Sequence, residues 1–322
     1  MSKRPTLTTI QEAARRIEGF VVHTPVMRCP HLEQALGAEI FLKCENFQTM
    51  GAFKQRGACN AVLSLDDDAI SRGVATHSSG NHGAALALAA SRRHVPAFVV
   101  MPEDSARVKI EAVERYGATV IECGTGLASR EETLDKVLDE TGATLVHPYN
   151  DYAVIAGQGT AALELLSEVP DLDLLVAPVG GGGLMSGCAI AAKGLRPGIR
   201  LVGAEPSGAD DAFRSLRGGK LIEQQTPNTV ADGLRACLGD KTFAIIQELM
   251  DDIVLVEEQK IAAATGYVLQ HMRILIEPSA GVAVAPLRDG TVDVRGKRVG
   301  VILTGGNVDR DTLIQMLQAN QN

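Results

Sequence analysis

The sequence predicts an α/β protein made of two three-layer lobes, each a mostly parallel sheet covered by helices. Short, apolar, β-branched runs alternate with longer helical stretches. The alternation falls into two series, and turns rich in glycine or small polar residues follow directly on two of the strands. Near-continuous apolar strands between amphipathic helices belong to parallel sheets buried on both sides. A chain of 322 residues is long enough to close two such cores.

The first series reads as strand 74–76, a helix after His82, strand 97–100, helix 107–116, strand 118–122, helix 130–140 and strand 144–146. The second reads as helix 155–166, strand 174–179, helix 184–192, strands 200–204 and 253–256, helix 260–272 and strand 298–303. No linker or low-complexity tract separates the two, so the lobes are expected to meet along a cleft fit for a ligand. Residues 1–66 and 152–322 are assigned to a large lobe, and residues 67–151 to a small one.

Composition narrows the function. A formal charge of −8, spread along the chain, repels polyanions, and an aromatic content of 3% without Trp offers few stacking platforms for nucleic acid. No apolar stretch has the length of a membrane span. The six cysteines are scattered with no C-x-x-C pair, which points to neither a zinc site nor a disulfide framework. Residues 1–10 lack the apolar core of a signal peptide, so a reducing cytoplasm is the expected location.

Three segments carry chemistry. Ser78-Ser79-Gly80-Asn81-His82-Gly83 lies where a strand gives way to a helix, and backbone N–H groups with short hydroxyls at such a place suit an anion. An N-cap with a tight turn would need fewer small residues in a row. Gly180-Gly181-Gly182-Gly183, followed by Leu184 and Met185, also joins a strand to a helix and lets several N–H groups converge on one phosphate. The dinucleotide fingerprint would need glycine where Ser186 stands, and a Walker loop would need lysine where Cys188 follows Gly187. A smaller phosphorylated cofactor is therefore expected, with a purely structural turn as the alternative. The third segment, Gly51-Ala52-Phe53-Lys54, holds a lysine that reads alone as a surface residue. In a desolvated pocket it would lose its proton and react with an aldehyde.

Taken with Glu277-Pro278-Ser279-Ala280-Gly281 and Thr304-Gly305-Gly306-Asn307, these segments stand in the order seen in fold-type II pyridoxal-phosphate enzymes. Over nearly its full length the chain resembles the serine/threonine dehydratase and serine racemase family. That resemblance implies a large lobe that binds pyridoxal 5'-phosphate, a small lobe that carries the substrate loop, and the cofactor in the cleft between them. It implies Lys54 as the Schiff-base lysine, Phe53 beside the ring and Asn81 on the ring hydroxyl. Gly180, Gly181, Gly182, Gly183 and Met185 would surround the phosphate. Ser78, Ser79, Asn81 and His82 would hold the substrate carboxylate, and Thr304 would face the pyridine nitrogen. A neutral hydroxyl there leaves the nitrogen largely unprotonated and weakens the ring as an electron sink, which favours prompt loss of a β-leaving group.

The expected reaction is elimination of the β-hydroxyl from serine, threonine or a 3-hydroxyaspartate-type amino acid, giving a 2-keto acid and ammonia, with Lys54 as general base. Racemisation is the alternative, with Ser79 placed where racemases keep a second proton carrier. A binding module without catalysis is the alternative from another class. The resemblance also implies a homodimer and a Mg2+ site, or one for Ca2+ or Mn2+, at Glu205, the carbonyl of Ala209 and Asp211. The ordinary reading of those acids is charge at a helix start. Tyr149, Arg235 and Cys237 depart from the racemase pattern and leave the substrate open. Arg130 resembles an arginine near the substrate in racemases, and with Arg235 it would pair with a second carboxylate. His147 reads as a scaffold residue.

Overall fold

The computed structural model describes residues 3–78 and 80–319, so Ser79 lies outside the described residues. The helices are α1 (Leu7–Ile17), α2 (Pro30–Leu36), α3 (Lys54–Ser64), α4 (Asp67–Ile70), α5 (Asn81–Arg93), α6 (Arg107–Glu114), α7 (Leu127–Thr141), α8 (Tyr152–Glu168), α9 (Gly183–Leu195), α10 (Asp211–Gly218), α11 (Asp240–Leu249), α12 (Glu258–Met272), α13 (Pro278–Arg288) and α14 (Arg310–Ala319). The strands are β1 (Val26–Arg28), β2 (Glu39–Cys44), β3 (Val74–His77), β4 (Ala97–Pro102), β5 (Thr119–Cys123), β6 (Thr144–Leu145), β7 (Leu174–Pro178), β8 (Arg200–Pro206), β9 (Asp252–Val256) and β10 (Arg298–Leu303).

Six strands in the order β1-β2-β10-β7-β8-β9 form one sheet, and four in the order β5-β4-β3-β6 form the other. All pairings are parallel except β1 with β2. Apolar side chains on both faces explain the layering. One core joins the large sheet to α1, α8 and α9 through Ile10, Ile155, Leu165 and Ile190, and another joins its opposite face to α12 and α13 through Val268, Val282 and Leu287. The small sheet likewise packs against α3 and α5 through Val62, Leu86 and Val99, and against α7 through Ala75, Leu134 and Val137. The fold is that of the fold-type II architecture expected above.

Several boundaries move for identifiable reasons. Strand β8 runs on to Pro206 because Glu205 and Pro206 pair with Leu255 and Val256, so Glu205 sits inside a strand instead of after it. The helix expected after His82 starts at Asn81, which puts His82 inside it. The helix expected to reach residue 116 stops at Glu114, where Gly117 takes a positive φ of 80°. Strand β2 carries a lysine that looks like a surface residue. Lys43 is nevertheless buried, because its amine lies 2.7 Å from Glu164.

Candidate active site

Lys54 is placed by backbone stitching between distant segments. Gly51 has a φ of +80°, a conformation open to glycine, and a Cβ there would lie 2.3 Å from Asn307 Oδ1. Gly306 N–H donates to Gly51 O at 2.9 Å, Phe53 N–H donates to Thr304 O at 2.9 Å, and Ala52 bridges Gly305. Lys54 then opens α3. Two residues on, the buried Arg56 donates from Nε and Nη2 to Glu45 at 2.7 and 2.8 Å, and from Nη1 and Nη2 to Glu164 at 2.7 Å each. A guanidinium forked onto two carboxylates is the strongest geometry this pair of groups offers, and it anchors α3 to α8 and to the turn at Glu45–Phe47.

The Lys54 amine donates to Pro148 O at 2.8 Å and lies 5.3 Å from the Phe53 ring centroid. Part of the side chain borders the cleft, while the amine itself is densely surrounded. Loss of water lowers its pKa from 10.5 to about 8, against an opposing pull from the charge of Glu277. The chemistry expected of a desolvated lysine is thus available near neutral pH.

The residue after Pro148 meets the glycine loop. A Cβ on Gly181 would fall 2.4 Å from the Tyr149 ring, and Gly182 has a φ of +82°, so neither position tolerates a side chain readily. The loop runs from the end of β7 into α9. Among the described residues nothing accepts a hydrogen bond from the N–H groups of Gly180 through Met185. Free N–H groups at the start of a 13-residue helix form an anion cradle.

Thr304, at the end of β10, is buried and its Oγ1 has no hydrogen-bond partner. A buried hydroxyl left unpaired costs free energy, so a ligand atom that bonds to it is favoured. Asn81, at the first turn of α5, donates through Nδ2 to Glu277 at 3.0 Å, and its Oδ1 accepts from Asn307 Nδ2 at 2.9 Å. Glu277 is buried, which pushes its carboxyl up to about 7, with Asp232 adding to the effect and Asn81 opposing it. Glu277, Asn307 and Arg56 had drawn no role from the sequence. The available signals were an acid directly before the Pro of a helix start and an Asn closing a glycine turn.

The remaining expected residues fall into separate places. Ser78 Oγ accepts from Gly80 N–H at 3.3 Å. The His82 ring is buried within hydrogen-bond distance of Val146 O, so the part of His82 turned to the loop is its backbone. His147 Nδ1 accepts the N–H groups of Tyr149 and Asn150, a scaffold arrangement, and its ring lies 5.9 Å from that of His77. Burial lowers the pKa of His147 to about 3, with His77 contributing. Arg130 donates to Thr125 O at 3.2 Å, while its buried Nε has no partner, and its charge lowers the pKa of His77 beyond the effect of burial. Arg235 is turned onto Thr229 O at 2.9 Å and lines a cleft with Lys109, Asp232, Pro278 and Asn307.

Glu205 and Asp211 are both fully buried. Glu205 accepts from the N–H groups of Ala212 and Phe213 at 2.9 and 2.7 Å, and Asp211 accepts from Gln225 Nε2 and Leu238 N–H at 2.6 and 2.9 Å. Burial, then the charge of Asp211, raises the Glu205 carboxyl to about 9; burial also raises Asp211 to about 6. No basic side chain pairs with either acid among the described residues. Both Glu205 oxygens take N–H groups from the first turn of α10, and among the described residues no group of three or more His, Cys, Asp or Glu side chains is placed to hold a metal ion.

The family profile described as "Pyridoxal-phosphate dependent enzyme" matches residues 17–305. The chain belongs to that family. It is 46% identical over 312 residues to a serine racemase of Arabidopsis thaliana, covering 95% of this chain and 94% of the relative. It is 47% identical over 309 residues to a beta-hydroxyaspartate dehydratase of Paracoccus denitrificans, covering 96% and 98%. The solved structure of maize serine racemase superposes with a TM-score of 0.94 at 42% identity, covering 99% of this chain and 98% of the other. Pyridoxal phosphate is the cofactor this family implies, and the chain's own residues fit it. They supply an amine of lowered pKa, a cradle of free N–H groups and an unpaired hydroxyl at Thr304.

Proposed function

We propose that this enzyme is an ammonia-lyase that removes the β-hydroxyl of a small hydroxy amino acid, with preference for a substrate carrying a second carboxylate. The observation that carries the reading is the Lys54 amine, held against Pro148 beside the glycine loop, on a segment hydrogen-bonded to Thr304. Bound pyridoxal phosphate supplies an aldehyde for the substrate amine and draws electrons from the α-carbon. The Gly180–Met185 N–H groups would hold its phosphate, Phe53 would flank its ring and the Thr304 hydroxyl would meet its nitrogen. Lys54, once released, takes the α-proton as general base, and a pKa of about 8 suits that task at neutral pH. Ser78, Ser79 and Asn81, with the backbone at His82, would orient the substrate carboxylate. The β-hydroxyl leaves with a proton, and the freed enamine reacts with water to give a 2-keto acid and ammonia.

Arg130 favours the second carboxylate, since it brings an unpaired N–H and a full charge beside His77. Arg235, whose Nε and Nη2 lie against Thr229 O, remains part of the proposal as a second cation for that carboxylate. A Mg2+ ion at Glu205, Ala209 O and Asp211 is part of the proposal, supported by the buried acid pair. So are the division into lobes 1–66 with 152–322 and 67–151, a homodimer and a cytoplasmic location, which rest on the family resemblance and the sequence. Racemisation is the second reading, favoured by the serine racemase relatives and dependent on Ser79 as the opposing proton carrier. Turnover of L-threo-3-hydroxyaspartate, L-serine and L-threonine to keto acid and ammonia tests these readings. The hydroxyaspartate is expected to give the highest kcat/KM, and Arg130→Met is expected to raise its KM while sparing serine. A preference for threonine removes the dicarboxylate reading, and D-serine forming faster than pyruvate establishes the racemase.

A further inference from the structure

We infer that Asn307 is a positioning residue that sets which way the Asn81 amide faces, and through it the ring oxygen of the bound cofactor. This rests on the cofactor reading above. Asn307 Nδ2 lies 2.8 Å from Met50 O and 2.9 Å from Asn81 Oδ1. The Met50 carbonyl can only accept, so it fixes Asn307 with its NH2 toward both partners. Asn81 must then present oxygen to Asn307 and nitrogen to the opposite side.

On that side the Asn81 Nδ2 lies 3.0 and 3.3 Å from the two oxygens of Glu277. One amide hydrogen is used by Glu277, and the second remains for a ligand oxygen. The opposite orientation of Asn81 would set NH2 against NH2 at Asn307 and its carbonyl against the Glu277 carboxyl. Both contacts would be repulsive whenever Glu277 is ionised. The arrangement is also built into the backbone. Asn307 occupies the space a side chain at Gly51 would need, and Gly306 N–H holds Gly51 O at 2.9 Å. Four segments separated in the chain, at residues 50–51, 81, 277 and 306–307, are thereby joined into one polar chain.

A donor on the ring oxygen favours its ionised form, which absorbs in the visible, over the protonated form, which absorbs in the near ultraviolet. Loss of orientation at Asn81 therefore moves absorbance from the visible to the near-ultraviolet band. Asn307 borders solvent and water competes for its bonds, so the effect corresponds to one modest hydrogen bond, a fall of roughly two- to fivefold in the band ratio.

The experiment compares the cofactor-loaded wild type, Asn307→Ala, the isosteric Asn307→Asp, and Asp309→Ala as a control. Asp309 accepts from Thr312 N–H and Oγ1 and caps α14, so its substitution loosens the same turn without touching Asn81. N307A is expected to lower the band ratio and weaken cofactor binding. N307D loses both donors and should lower the ratio further. D309A should lower the melting temperature while keeping the ratio. An unchanged ratio in both Asn307 variants, or an equal change in D309A, overturns the proposal. A wild type with no visible band would instead count against the cofactor reading itself.

Discussion

Replacing Thr304 by Val exchanges a hydroxyl for a methyl of nearly the same shape, and the structure assigns opposite signs to its effects with and without cofactor. Thr304 Oγ1 is buried and no protein group among the described residues bonds to it. Removing such a group relieves a desolvation penalty of about 1–3 kcal/mol, so the variant should melt at a higher temperature than the wild type. With cofactor bound, the wild-type hydroxyl gains a partner at the ring nitrogen, and the variant forgoes a net hydrogen bond of about 0.5–1.5 kcal/mol. The two effects add in the binding equilibrium, giving about 1.5–4.5 kcal/mol, or a cofactor affinity weakened roughly ten- to two-thousandfold. Absorbance titration with pyridoxal phosphate and thermal melts of both forms measure the quantities. A variant that melts lower without cofactor yet binds it as tightly as the wild type would refute the placement of this hydroxyl.

Arg56→Met leaves the fully buried Glu45 without its cation. The cost should be about 3–5 kcal/mol, lowering the melting midpoint by roughly 5–10 °C, with partial recovery in Arg56→Met/Glu45→Gln; no recovery would contradict the pairing. The Lys54 amine must be neutral to capture an aldehyde. Recombination of cofactor-free protein with pyridoxal phosphate should accelerate with pH and reach half its limit near about 8, not near 10.5. Since this lysine binds its proton more weakly folded than unfolded, it also penalises folding fully below about 8. That penalty is relieved as pH rises from about 8 toward 10.5. Stripping divalent metal with a chelator should lower the melting temperature, with Mg2+ restoring it. Asp211→Asn should abolish the Mg2+ response; an unchanged response would move the ion elsewhere.

The parts of this molecule legible in its sequence are those that act locally. Glycines and small polar residues where strands pass into helices mark the proposed phosphate and carboxylate sites, because such roles depend on the backbone beside them. Lys54 became readable through the company of those motifs. Glu277 and Asn307 did not, since their partner Asn81 lies 196 and 226 residues away and no local pattern announces such contacts. The same holds for Lys43 and Arg56, charged residues that pass for solvated ones until Glu164 and Glu45 are brought beside them. Helix α13 was overlooked because it contains Pro286 and Gly281, residues that weaken a helical signal and are tolerated in a fully packed interior.

The account rests on a covalent attachment at one amine. Hydride reduction of the cofactor-loaded enzyme, followed by proteolysis and mass spectrometry, is predicted to leave a phosphopyridoxyl group on the peptide containing Lys54 and nowhere else. A label on another lysine, or none in protein saturated with cofactor, would contradict it.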